Sequence, residues 1–262
     1  MLGAIIGDIA GSRFEWENHK SKEFVLMVRP CRTTDDSNMT LAVAKAVLES
    51  GGDADRLPEY AVSCMREIGR AYPYGFGGRF WRWLQSDEPR PYGSWGNGAA
   101  MRVSPCAWAA GSLEEALRLS DAVTGVTHNH PEGMKGARAV TSAIWLARQG
   151  ADMGEIRGHI RDNYYPLDFT LDEIRPRYEF DVSCQGSVPQ AIEAFLESDS
   201  FEDAVRGAVS IGGDSDTIAA MAGGIAEAYY GIPENIRKNA LTFLDERRQG
   251  ILDAFEEKYG KG

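Results

Sequence analysis

Apolar residues recur along most of the chain at the i, i+3, i+4, i+7 spacing that gives a helix one buried face. Leu57, Tyr60, Ala61, Cys64, Met65 and Ile68 trace one such stripe, and Met39, Ala42, Val43, Ala46 and Val47 trace another. A third runs through Met134, Ala137, Val140, Ile144 and Ala147, with Pro131 where a first helical turn tolerates a missing N–H. Further helices are predicted over 113–124, 151–163, 188–197, 201–210, 217–230 and 235–258. Ser112 with Glu115 and Ser200 with Asp203 stand at capping-box spacing and mark two of those starts. Only Phe24-Val25-Leu26-Met27-Val28 reads as a short β run, and it also fits a segment flanking a loop. The βα alternation of a parallel sheet is absent. There is no internal repeat and no linker, so the expectation is an all-α fold in one compact multi-helix domain over residues 1–262. Gly3, Gly7 and Gly11 fall on one face of the first helix, where they let another backbone come close.

Composition narrows the class. With 43% hydrophobic and 26% charged residues among 262, the chain has enough apolar side chain to fill a core. Its apolar stretches fall short of the ~18–20 residues that span a bilayer. The opening segment has no basic region and reaches Asp8 early, so it does not read as a signal peptide. A cytoplasmic protein without membrane attachment is expected, with a monomer as the default. The net charge of −11 argues against general nucleic-acid binding, which needs a basic face for phosphates. Cys31, Cys64, Cys106 and Cys184 form no CxxC and no zinc spacing, and they read as ordinary thiols.

Four segments carry candidate chemistry. Thr33-Thr34-Asp35-Asp36-Ser37 precedes the helix with the Met39 stripe. An Asp there is an ordinary helix cap, but a second Asp and a Thr exceed what a cap requires. Gly212-Gly213-Asp214-Ser215-Asp216-Thr217 repeats that chemistry before another helix. Hard cations such as Mg²⁺ take carboxylate, hydroxyl and water oxygens, and two such clusters could bracket one or two of them. An EF-hand is disfavoured, because no Gly at loop position six and no Glu at position twelve follow Asp214. The run Gly93-Ser94-Trp95-Gly96-Asn97-Gly98-Ala99-Ala100-Met101-Arg102 is either a loop feeding a helix or a backbone cradle for a ligand. In Val126-Thr127-His128-Asn129-His130-Pro131, a histidine at a pocket edge is favoured over a metal ligand, and Asn129 reads as a helix N-cap.

In this order, together with the opening Leu2-Gly3-Ala4-Ile5-Ile6-Gly7-Asp8-Ile9-Ala10-Gly11-Ser12-Arg13-Phe14-Glu15, the segments resemble the ADP-ribosylglycohydrolase family. That family includes the dinitrogenase-reductase-activating glycohydrolases and the ADP-ribosyl-acceptor hydrolases. The resemblance covers about residues 2–232 and rests on five motifs in family order. It implies a site for two Mg²⁺ ions, or Mn²⁺, served by Thr34, Asp35 and Asp36 from the first cluster and Asp214, Asp216 and Thr217 from the second. It further implies Glu15 and Asp36 as catalytic carboxylates, Gly96, Asn97 and Gly98 along the diphosphate and ribose, and His128 beside the ADP-ribose. Ser37 and Ser215 stand where the family often has Thr, a change that keeps the hydroxyl.

The implied reaction is hydrolysis of the C1″ bond between ADP-ribose and an acceptor, either an ADP-ribosylated protein or a small conjugate. Glu15 is the candidate acid/base, and Asp8 is read as a buried structural carboxylate rather than a ligand. Trp95, Tyr92, Phe76, Tyr74 and Trp81 are candidates to stack on adenine, with core packing as the alternative for each. A prenyl-diphosphate enzyme is disfavoured, because a DDxxD segment would need Asp where Met39 stands. A metal-dependent nucleotide phosphohydrolase and a non-catalytic ADP-ribose-binding relative are the remaining alternatives. The acceptor, whether arginine, serine or another group, stays open.

Overall fold

The computed structural model describes residues 1–260. The helices are α1 (Leu2–Gly11), α2 (Asp35–Ser50), α3 (Leu57–Ala71), α4 (Gly78–Gln85), α5 (Ser104–Ala109), α6 (Leu113–Gly125) and α7 (Pro131–Arg148). They continue with α8 (Met153–Asn163), α9 (Leu171–Ile174), α10 (Cys184–Leu196), α11 (Phe201–Ser210), α12 (Ser215–Tyr230), α13 (Glu234–Leu241) and α14 (Glu246–Tyr259). A short 3-10 turn sits at Asn97–Ala99. Among the described residues there is no strand, only an isolated antiparallel bridge between Gly96 and Ser183. The fold is all-α, as expected, and its helices share one apolar core. No helix among the described residues is long and apolar enough to cross a membrane.

The centre is the pair α1 and α12. Every residue of α1 is buried, and so is Ser215 through Ala226 of α12. A helix apolar all round must be wrapped on every side, and α2, α7, α10 and α11 do that for α12. The glycine face of α1 sets the contact. A Cβ at Gly3 would fall on the Gly223 carbonyl, one at Gly7 on the Ala219 carbonyl, and one at Gly11 within 2.5 Å of the Ser215 carbonyl. The two backbones therefore touch along the whole length of α1. This contact carries Asp8, on α1, to the start of α12.

Several expectations on the elements need correction. The run Phe24–Val28 is not a strand. Four of its carbonyls have partners other than a strand: Arg13 donates to Val25 O at 2.5 Å, Arg206 to Phe24 O at 2.5 Å, Asn239 to Met27 O at 3.1 Å and Cys31 N to Val28 O at 2.8 Å. The helix predicted over 235–258 is two helices. Asp245 breaks it by accepting from Arg248 N at 3.0 Å, and Gln249 satisfies the freed Leu241 and Leu244 carbonyls at 2.9 Å each. Helix α10 begins at Cys184, ahead of the expected start, because Ser183 caps it through Gly186 N at 3.0 Å. Ser112 and Ser200 do cap α6 and α11, at 3.1 and 3.2 Å. The reciprocal half of each box is not made: Glu115 turns to Gly111 N, and Asp203 pairs with Lys22. The N-cap of α7 is His130, not Asn129, whose side chain instead accepts from Gly93 N at 2.8 Å. Helices α4, α5 and α9 were not among those predicted.

Candidate functional site

The helix starts explain how carboxylates are gathered here. Thr34 caps α2, so Asp35 and Asp36 occupy its first turn, where the positive end of the helix dipole faces them. Asp214 precedes α12, with Asp216 in its first turn. The backbone contact of α1 with α12 brings Asp8 alongside both. Asp8 is fully buried and accepts from Thr34 N at 2.9 Å, Thr34 Oγ1 at 2.7 Å, Ser37 N at 3.1 Å and the Ser37 hydroxyl. It thus ties α1 to the first turn of α2, as a structural carboxylate would.

Two triads of carboxylate oxygens result, each with its atoms within 4.8 Å of one another. One is Asp8, Asp36 and Asp216; the other is Glu15, Asp214 and Asp216. Asp216 belongs to both. Thr217 donates to Asp36 Oδ2 at 3.2 Å, and Thr34 does so at 3.3 Å. The other Asp36 oxygen is buried without any hydrogen-bond partner. The structure therefore brings Glu15, Thr34, Asp36, Asp214, Asp216 and Thr217 together. Asp35 lines the same cavity but stands outside both triads.

Burial makes these charges costly. Desolvation pushes the carboxyls of Asp8, Asp36, Asp214 and Asp216 above the ordinary carboxylate range, and mutual repulsion adds to it for Asp36 and Asp216. Asp35 is pushed up to about 8, first by desolvation and then by Asp8. Burial and then Asp214 raise Glu15, with Arg32 opposing them. Six carboxylates sharing one space, with an unpartnered buried oxygen among them, form the donor set that a hard divalent cation takes. Such an ion would reverse those shifts by supplying the missing positive charge.

The cavity has a volume of about 540 Å³. The glycine-rich loop forms a second wall. Asn97 N donates to Val182 O at 2.7 Å, and Cys184 N donates to Trp95 O at 2.9 Å, which clamps the loop to the start of α10. The Asn97 side chain donates to Asp214 Oδ2 at 2.7 Å, so this loop reaches the acidic end directly. Gly98 lies against His128, whose Nε2 would stand 3.2 Å from a Cβ placed there. Gly96, Asn97, Gly98 and His128 all line the cavity.

Of the five aromatics proposed for adenine, Phe76 and Tyr92 line the cavity, whereas Tyr74, Trp81 and Trp95 do not. Sequence reasoning missed two parts of the wall. One is the segment Gly75–Arg79, which runs into the first turn of α4 and whose Gly75 has φ +90° and packs against the Asp35 carboxylate. Its glycine-rich sequence was the available signal. The other is the mouth formed by Trp16 and Phe180, which stack with ring centroids 5.1 Å apart. Nothing in the sequence joins residues so far apart.

Comparisons with known proteins give the family of the chain. Residues 1–261 match the family described as ADP-ribosylglycohydrolase. ADP-ribosylhydrolase ARH3 of Mus musculus is 27% identical, covering 98% of this chain and 91% of that protein. ADP-ribosylarginine hydrolase Tri1 of Pseudomonas putida (strain GB-1) is 28% identical, covering 97% and 76%. ADP-ribosyl-(dinitrogen reductase) glycohydrolase of Rhodospirillum rubrum is 27% identical, covering 93% and 88%. A solved structure titled ADP-ribosylglycohydrolase-related protein complex shares the fold, with a TM-score of 0.70 at 23% identity, over 98% of this chain and 95% of that one. The chain belongs to the ADP-ribosylglycohydrolase family of enzymes.

Proposed function

We propose that this enzyme removes ADP-ribose from a modified acceptor by hydrolysing the C1″ glycosidic bond, with divalent cations held at the shared-carboxylate site. The observation that carries this reading is the pair of oxygen triads meeting at Asp216 on the wall of the cavity. Asp36, Asp214 and Asp216, helped by Thr34 and Thr217, would hold two ions, Mg²⁺ or Mn²⁺. Asp35 would serve from the cavity wall. When bound, such ions orient sugar hydroxyls and make a water more acidic.

The protein's own groups supply the rest. Glu15 is the group suited to proton transfer: it is half-buried at the acidic end of the cavity, and burial, then Asp214, raises its carboxyl above the ordinary range. In its protonated form it gives its proton to the leaving atom of the acceptor as the C1″ bond breaks. The carboxylate so formed takes a proton from the water that bonds to C1″, which restores the acid. Asp36, with one oxygen buried and unpartnered, would hold an ion beside Glu15, and the sugar hydroxyls would be oriented there. Gly96, Asn97 and Gly98 would run along the ribose and diphosphate, with His128 beside them.

The test is release of ADP-ribose from arginine-linked and serine-linked substrates, with Mg²⁺ and with a chelator. Release from either that stops on chelation supports the proposal. Phosphate release from nucleotides with no ADP-ribose release would replace it with a phosphohydrolase.

A further inference from the structure

Arg102 is 1% exposed and lines the cavity. Among the described residues it forms no ion pair, and its buried Nε has no hydrogen-bond partner. Its guanidinium lies 5.6 Å from the Phe80 ring centre. One polar branch is engaged: Nη2 donates to Thr127 Oγ1 at 2.6 Å and stands 3.4 Å from His128 Nδ1. A cation so deep without an ion pair is costly, and a bound anion would relieve that cost. Of the carboxylates that line the same cavity, Glu15, Asp36, Asp214 and Asp216 belong to the triads; Asp35 stands outside them and acts on Arg102 without forming an ion pair with it.

The hydrogen bonds fix a direction. Thr127 Oγ1 accepts from Arg102, and its proton can go to His128 Nδ1 at 2.7 Å or to Thr124 O at 3.5 Å; the shorter contact, and the Arg102 donor that also faces Nδ1 at 3.4 Å, favour Nδ1. Nδ1 is then an acceptor, and the neutral ring carries its proton on Nε2. Nε2 is the atom beside Gly98. Burial, then Arg102 and Arg79, hold His128 well below its usual pKa, which keeps the ring neutral.

We propose that Arg102 is a positioning residue: through Thr127 it sets His128 as an Nε2–H donor, and its unpaired charge draws the diphosphate of ADP-ribose to this region of the cavity. The inference rests on the proposed function for the identity of the ligand. It deepens that reading by stating what orients the ligand within the cavity.

Nitrogen-15 spectra of the full chain give the first test. His128 should show a bare Nδ1 and a protonated Nε2, and stay neutral at pH values where an ordinary histidine is protonated. Inorganic pyrophosphate, added without divalent ions, should move the Nε2 signal. Thr127→Val should mix the two tautomers and raise the Kd for ADP-ribose about 10-fold. Arg102→Met should raise it about 100-fold, and Arg102→Lys should recover part of the loss. Circular dichroism checks that each variant folds. If Arg102→Met does not fold, Thr127→Val and the wild-type spectrum decide. A proton on Nδ1 in the wild type overturns the inference. So does a Thr127→Val protein with both the wild-type tautomer and wild-type affinity. If the wild type binds no ADP-ribose, the proposed function fails, while the tautomer and the pyrophosphate shift still judge Arg102.

Discussion

The Asp36 carboxylate is divided between its two oxygens. One takes the hydroxyls of Thr34 and Thr217, and the other is buried with nothing to accept from. A proton or a cation would relieve the cost of burying such an oxygen. This makes a pH prediction. In a chelator, the folded pKa values of Asp35, Asp36 and Asp216 lie above their unfolded values, so the folded state holds more protons. Stability should therefore fall as pH rises from about 4, the unfolded carboxyl value, through about 8, the folded value of Asp35. Melting curves over that range should slope downward with a chelator and flatten with Mg²⁺; equal slopes would count against cation binding. For Glu15→Gln we expect ADP-ribose affinity to persist while the rate drops about 100-fold or more, read by single-turnover release. An unchanged rate would remove Glu15 from the chemistry. Asp8 was legible only in part. Its four hydrogen bonds match a structural carboxylate, yet it also completes a triad, which no neighbour in sequence signals.

Among the elements, α1 and α12 set the geometry. Gly7→Ala would drive a methyl into the Ala219 carbonyl, and the helices would have to part. We expect a stability loss of about 1–3 kcal/mol, the usual range for overpacking, with weaker cation binding. Calorimetry and Mn²⁺ titration check this, and a variant that loses neither would show that the contact is not what aligns Asp8 with Asp216. The periodicities of α2, α3 and α7 were plain because each has a continuous apolar stripe. The three-glycine face of α1 was equally readable. The break between α13 and α14 was not, because Asp245 and Gln249 stop the helix through side-chain hydrogen bonds without any Gly or Pro between. At Phe24–Val28 the loop-flanking alternative holds rather than the β run, for a similar reason. Arg13 and Arg206 satisfy its backbone, and they come from other parts of the chain.

For the molecule as a whole, the cavity joins segments that only the tertiary fold brings together. Both Asp clusters could be found because each repeats the same chemistry at a helix start. The aromatic mouth at Trp16 and Phe180 could not, since its two rings belong to separate loops. Asp216→Ala removes a member of both triads at once. It should abolish divalent-ion binding in a titration, whereas Asp214→Ala should leave the triad of Asp8, Asp36 and Asp216 able to bind one ion. Two ions retained by Asp216→Ala would contradict the shared arrangement.

The joining of Asp8 to Asp216 has a consequence for synthesis. A ribosome completes the first of these more than two hundred codons before the second. Until α12 has emerged and docked, neither triad exists, so a half-made chain has no acidic trap to sequester ions or bind ligand prematurely. Under the proposed function, metal loading would be a late event that reports a finished molecule.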